Sequence, residues 1–170
     1  VLVMGAYWDE RKHVVPTAEF QPLDTEGRRL PVYLAIDPGY SGKSVYAVLA
    51  LQQFGSNLVV FDEITAQTLV HEEVIDLCRT RPWWSHVASG VIDPYAGSSH
   101  VYGGLSPLDI WWRQGRVPVY AAPRFEVADV VSRLQLMLRD PTHSRSHIIV
   151  SPHCTRLRWE MGHWRRTLSR

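Results

Sequence analysis

The stretch Val32-Tyr33-Leu34-Ala35-Ile36-Asp37-Pro38-Gly39-Tyr40-Ser41-Gly42-Lys43-Ser44-Val45-Tyr46-Ala47-Val48-Leu49-Ala50-Leu51 decides how the chain is read. Its first half is an apolar run rich in β-formers that stops on one carboxylate, followed at once by Pro-Gly and a small-residue turn. Val45 to Leu51 returns the chain as a second apolar run, which predicts a β-hairpin whose first strand delivers Asp37 to its carboxyl end. Glycines in that turn leave the backbone open to a closely approaching ligand. Asp37 also admits a plainer role, because an Asp before Pro-Gly forms turns by hydrogen-bonding its own backbone. Gly42-Lys43-Ser44 is like the end of a phosphate loop, but the Walker spacing needs Gly where Asp37 stands, and the segment lies between strands rather than opening a helix. No ATP site is expected in this chain.

Working outward, a turn at Phe54-Gly55-Ser56-Asn57 leads into Leu58 to Ile64, a third strand, so the first three strands form an antiparallel meander. Thr68 is placed to cap a helix whose first turn holds Glu72 and Glu73 and whose Leu69, Val74, Leu77 and Cys78 lie at helical spacing. Val87 to Ile92 is again an apolar run ending on an acid and a proline, Asp93-Pro94. A strand entered through a crossover helix runs parallel to an earlier one, so both aspartates emerge at one edge if this strand neighbours the Asp37 strand. Ser106-Pro107-Leu108-Asp109 starts a helix through Trp111-Trp112 that closes at Gly115. Val117 to Ala121 is a short strand, Val127 to Leu138 an amphipathic helix, His147 to Val150 a strand, and Ser151-Pro152 begins a last helix. The pattern is α/β, with the meander plus parallel strands in a mixed sheet and helices on both faces. Val1 to Pro31 reads as a lead-in packing on the domain, with His13-Val14-Val15 pairing at a sheet edge.

At 170 residues and 45% hydrophobic content the chain has the size of one domain able to bury a core. A net charge of +1 selects no partner, but the charge is uneven. From Trp111 onward eleven arginines, Arg113 to Arg170, face only Glu126, Asp129, Asp140 and Glu160, which suits a polyanion. Cys78 and Cys154 form no paired spacing, so a disulfide framework is excluded and a reducing compartment is expected. No apolar run approaches a bilayer span and no signal-peptide pattern opens the chain, so a soluble, intracellular protein without a membrane partner is expected. The absence of an initiator Met and a helical pattern still running at Arg170 suggest a fragment, with the end of domain 32–170 missing.

Two aspartates at the tips of adjacent central strands repel when both are ionised, so either one takes up a proton or a cation sits between them. Hard divalent ions such as Mg²⁺ or Mn²⁺ match oxygen ligands and a substrate phosphate. A pair of such ions about 4 Å apart supports phosphodiester hydrolysis, and a third acid is then expected.

The strand order, with acids ending the first and fourth strands, resembles the RNase H-like nuclease fold. More narrowly, Gly5-Ala6-Tyr7-Trp8 through His13-Val14-Val15, Ala35-Ile36-Asp37-Pro38-Gly39-Tyr40, Asp62-Glu63-Ile64, Val91-Ile92-Asp93-Pro94 and Gly115-Arg116-Val117-Pro118-Val119 resemble, in order, the C-terminal nuclease domain of the large terminase subunit of tailed bacteriophages. The resemblance implies an endonuclease that cuts double-stranded DNA by a two-metal mechanism with low sequence specificity. It implies metal roles for Asp37 and Asp93, two Mg²⁺ or Mn²⁺ ions, and a third acid in a late helix, which is not found before Arg170 and is expected beyond it. It also implies an ATPase domain in the same polypeptide, a portal protein, a small terminase subunit, and action in the host cytoplasm during virion assembly. Ile36-Asp37-Pro38-Gly39 resembles the first strand of the junction resolvases as well, and a non-catalytic DNA-gripping or docking module is a third reading.

Lys43, beside the Asp37 turn, is placed to contact a phosphate, or is simply solvated. Arg156, Arg158, Arg165 and Arg166 form either a solvated helix face or a DNA track. Glu63 is read as structural, and Glu160 and Asp129 as solvated helix positions rather than substitutes for the third acid. His143, His147, His153 and Cys154 match no closed zinc site. Trp83-Trp84 and Trp111-Trp112 either pack the core and its rim or stack on nucleic acid.

Overall fold

The computed structural model describes residues 7–39, 45–97, 104–142 and 145–164. Its elements run α1 (Glu10–His13), β1 (Val32–Asp37), β2 (Val45–Phe54), β3 (Asn57–Gln67), α2 (His71–Arg79), β4 (Val87–Ile92), α3 (Pro94–Gly97), α4 (Pro107–Ile110), β5 (Val119–Ala121), α5 (Val127–Leu138), β6 (Ile148–Val150) and α6 (Thr155–His163). The strands form a six-stranded sheet in the order β5-β4-β1-β2-β3-β6. β1 pairs antiparallel with β2 and parallel with β4, β4 pairs parallel with β5, and β3 pairs parallel with β6. Among the described residues no helix is long and apolar enough to cross a membrane.

The chain divides into two compact units, Val1–Glu19 with Gln53–Asp62 and Phe125–Arg170, and Phe20–Gln52 with Glu63–Arg124. In the second unit strict alternation sorts β1 and β2 into two faces: Val32, Leu34, Ile36, Tyr46, Val48 and Ala50 are buried while their neighbours are partly open. Val74, Ile75 and Cys78 of α2, with Trp83, Ile110 and Trp111, complete the buried set of that unit. Gln52 is fully buried because Gln21 satisfies its amide twice, the Gln21 N–H donating to Oε1 (3.0 Å) and Nε2 donating to the Gln21 carbonyl (2.8 Å).

Several local expectations are corrected here. Thr68 does not cap α2: it sits at φ 60°, Val70 holds the cap position, and Glu73 Oε2 accepts from the Val70 N–H (2.9 Å). Leu77 faces outward, and His71 and Ile75 take its inward place. Ser106 caps α4 as expected, with Asp109 completing the reciprocal pair. The helix then loosens into a π-turn over Trp111–Gly115, closed by Arg116 in a left-handed conformation rather than by glycine. The last helix begins at Thr155, after a turn through Ser151 and Pro152.

In the first unit Val14 bridges Val150 in parallel and the Val15 N–H donates to the Val150 carbonyl (3.0 Å), so the His13-Val14-Val15 pairing exists. α1 precedes it, capped by Asp9. Buried His13 ties α1 to α5: its Nε2 lies 2.9 Å from the Leu138 carbonyl, which only accepts, so Nε2 carries the proton. Arg158 binds Glu10 through Nε (3.0 Å) and a second N–H (3.1 Å) and also reaches the Pro152 carbonyl (2.9 Å).

Candidate active site

Asp37 and Asp93 end adjacent parallel strands of the second unit. The β1–β4 register pairs Ala35 with Val91 and Ile36 with Ile92, and the Asp93 N–H donates to the Ile36 carbonyl (3.1 Å), so the ladder continues to the aspartate. Ile36 and Ile92 point into the core, and alternation turns the residue after each to the other face. Asp37 is therefore exposed and Asp93 half-buried, at the same edge of the sheet and on the same face. Gly90 permits the close strand approach: a Cβ there would stand 3.3 Å from Ile36 Cδ1, Leu34 Cβ and Val119 Cγ2.

Asp93 is oriented by the helix it starts. Its Oδ1 accepts from the N–H groups of Tyr95 (2.9 Å) and Ala96 (3.1 Å), while Oδ2 accepts no hydrogen bond from a described residue. The segment leaving β5 is fastened alongside by Ala122 N–H donating to the Ile92 carbonyl (2.8 Å). There Arg124 sits over the Tyr95 ring, Cζ 4.9 Å from its centroid. Neither α3 nor the Arg124–Tyr95 pair was expected from sequence, although Asp-Pro is a recognisable helix start.

Behind the site a buried polar chain joins β2, α2 and the π-turn. Trp111 Nε1 donates to Tyr46 Oη (3.3 Å), and Tyr46 Oη lies 2.8 Å from His71 Nδ1. Indole only donates, so the Tyr46 hydroxyl directs its own proton to Nδ1, and His71 is the neutral tautomer protonated at Nε2. Burial pushes the His71 pKa below its ordinary value of 6.5, against a smaller upward pull from the Glu72 carboxylate.

The other expected residues are dispersed. Lys43, Arg165, Arg166 and His143 lie outside the described residues. Arg156 pairs with Glu160 (2.6 Å) and lies over the Trp159 ring, and Arg158 is engaged by Glu10. Trp83 and Trp111 are buried, whereas Trp112 is exposed. His147 donates to or accepts from Asp140 at 2.8 Å, and among the described residues no three His, Cys, Asp or Glu side chains form a metal-holding group. A cavity of about 670 Å³ in the first unit, lined in part by Lys12, Arg139 and Arg145, includes neither aspartate.

Among solved structures the chain is similar to the full-length large terminase of a thermophilic bacteriophage, with a TM-score of 0.67, 16% identity, and coverage of 94% of this chain and 36% of that one. It is similar to the large terminase nuclease of thermophilic phage G20c, with a TM-score of 0.61, 10% identity, and coverage of 98% and 84%. The chain has the large-terminase nuclease fold. A third similar structure is the nuclease domain of the bacteriophage SPP1 large terminase g2p with bound Mn, at a TM-score of 0.55, 16% identity, and coverage of 84% and 75%. The chain thus spans about a third of the first of these terminases, 36%, and most of the G20c nuclease, 84%. No protein-family model and no curated protein sequence matches it. The mixed sheet expected from sequence is the sheet of a terminase nuclease fold, with its acids at the tips of neighbouring strands.

Proposed function

We propose that this chain is the metal-dependent endonuclease domain of a viral genome-packaging terminase, hydrolysing double-stranded DNA with little sequence preference. The observation that carries this reading is the placement of Asp37 and Asp93 side by side at the carboxyl ends of β1 and β4. The fold likeness, including a nuclease domain solved with Mn, supports it. The donor set fits a hard divalent cation: carboxylate oxygens reach solvent, and Asp93 keeps one oxygen aside from its helix cap. Asp37 and Asp93 would hold Mg²⁺ or Mn²⁺, two ions in the fullest form of the proposal. Such cations supply charge neutralisation at the phosphate and activation of a water.

The chain's own part is orientation. The Ile36–Asp93 hydrogen bond fixes the spacing of the two strand tips, and the amides of Tyr95 and Ala96 fix the Asp93 rotamer before substrate arrives. Lys43, Arg156, Arg165 and Arg166 are proposed contacts to the DNA backbone. Arg158 is proposed to act as a strap, because its guanidinium already serves Glu10 and Pro152. The domain would work beside an ATPase domain of the same polypeptide, with a portal and a small terminase subunit, in the host cytoplasm.

Supercoiled plasmid incubated with Mn²⁺ tests this. The protein is expected to nick and linearise it, and Asp37→Asn and Asp93→Asn are each expected to lose at least a hundredfold in rate while keeping the far-ultraviolet circular dichroism of the parent. Unaltered plasmid, or an Asp93→Asn protein that cuts at the parental rate, overturns the proposal.

A further inference from the structure

We propose that Arg124, braced on Tyr95, is a phosphate-binding residue that positions a DNA strand beside Asp93; the identity of the ligand rests on the nuclease reading above. Two independent backbone tethers put the pair there. Tyr95 is held by its own N–H on Asp93 Oδ1, and the Arg124 segment is held by the Ala122 N–H on the Ile92 carbonyl, the residue before Asp93. Arg124 and Tyr95 then meet across these two segments, the guanidinium carbon 4.9 Å from the ring centroid.

What distinguishes Arg124 is that its charge is unmatched. Arg28, Arg79, Arg156 and Arg158 each face a carboxylate, whereas Arg124 forms no ion pair or hydrogen bond with any described residue. The ring contact uses a face of the guanidinium and leaves the in-plane N–H groups available, in the fork geometry that matches two oxygens of one phosphate. A bracing aromatic also restricts the long arginine side chain before binding, which lowers the ordering cost when phosphate arrives. The neighbouring surface suits a nucleotide rather than a small anion. Tyr95 is 71% exposed, and Val91 and Tyr120, paired in register across β4 and β5 one step behind Asp93, are 46% and 62% exposed. That strip offers sugar and base an apolar shelf while Arg124 takes the phosphate. The same cation offsets the repulsion that Asp37 and Asp93 exert on an approaching polyanion.

The test uses the chain as it stands, with binding of a fluorescently labelled DNA duplex read by anisotropy, Mn²⁺ uptake read by calorimetry, and plasmid cutting as a third readout. Arg124→Ala is expected to weaken duplex binding about tenfold or more and to raise KM for cutting more than it lowers kcat. Arg124→Lys, which keeps charge but loses the fork, falls between. Tyr95→Phe keeps the ring and behaves as the parent, and Tyr95→Ala follows Arg124→Ala. Mn²⁺ uptake stays unchanged in all four variants. Parental duplex affinity and KM in Arg124→Ala overturn the assignment of Arg124 and leave the nuclease reading intact. Weakened duplex binding in a protein that neither takes up Mn²⁺ nor cuts overturns the nuclease reading and keeps Arg124 as a DNA contact.

Discussion

Replacing Tyr46 with Phe removes one oxygen from the middle of the chain that runs Trp111, Tyr46, His71. Trp111 is 0%, Tyr46 3% and His71 5% exposed, so water does not take over the lost bonds. Two groups are orphaned: His71 Nδ1, which loses a 2.8 Å partner, and Trp111 Nε1–H, which loses a longer one at 3.3 Å. An unsatisfied buried polar group costs about 1–3 kcal/mol, and the long indole bond belongs at the low end of that range. The expected loss for Tyr46→Phe is therefore about 2–4 kcal/mol. At about 2–4 °C per kcal/mol for a domain of this size, that corresponds to roughly 5–15 °C in Tm. Urea unfolding followed by fluorescence of the buried Trp83 and Trp111 reads it directly, with a shifted midpoint and an unchanged slope. Tyr120→Phe, at a 62% exposed position, serves as the control and should stay within about 0.5 kcal/mol of the parent. A Tyr46→Phe protein as stable as that control refutes the polar chain as a source of stability and the tautomer assigned to His71.

Because burial depresses the His71 pKa, the unfolded chain takes up that proton at higher pH than the folded one. The His71 contribution to stability is complete above 6.5 and declines as pH falls from there toward the folded-state pKa, at no more than about 1.4 kcal/mol per pH unit; His71→Gln should flatten the urea-midpoint profile in that window, and an identical profile contradicts the assignment. Gly90→Ala places a methyl 3.3 Å from Leu34 Cβ, which cannot swing away as the tips of Ile36 and Val119 can, so a strain of about 1–3 kcal/mol is expected, partly offset by reduced backbone freedom. Parental stability in that variant would mean the β1–β4 spacing is not limiting. Arg158→Ala should cost about 1 kcal/mol, since Glu10 is half-exposed, and leave DNA affinity unchanged; severalfold weaker DNA binding at parental stability would instead make Arg158 a DNA contact.

The strand tips were legible in sequence because two apolar runs each stop on an Asp-Pro, and because a helix between them forces the second strand parallel to the first. The α3 turn after Asp93 carried its own start signal, but the apolar run before it dominated the reading. Thr68 is a typical capping residue, yet β3 runs on to Gln67 and displaces the helix start to His71. The stripe on α5 was correctly periodic, while Val127, Val130 and Leu136 are exposed and Leu138 alone is buried, because periodicity orders a helix face without saying what covers it. Long-range pairing was hidden altogether: nothing near Arg158 in sequence points to Glu10, and nothing near Arg124 points to Tyr95.

The most direct measurement of the central claim is calorimetric titration of the chain with Mn²⁺, alongside Asp37→Asn and Asp93→Asn. If the two strand tips share a cation site, the parent gives a saturable heat of binding and each substitution abolishes it or weakens affinity at least tenfold. No heat from the parent, or equal heat from all three proteins, contradicts a metal site at Asp37 and Asp93.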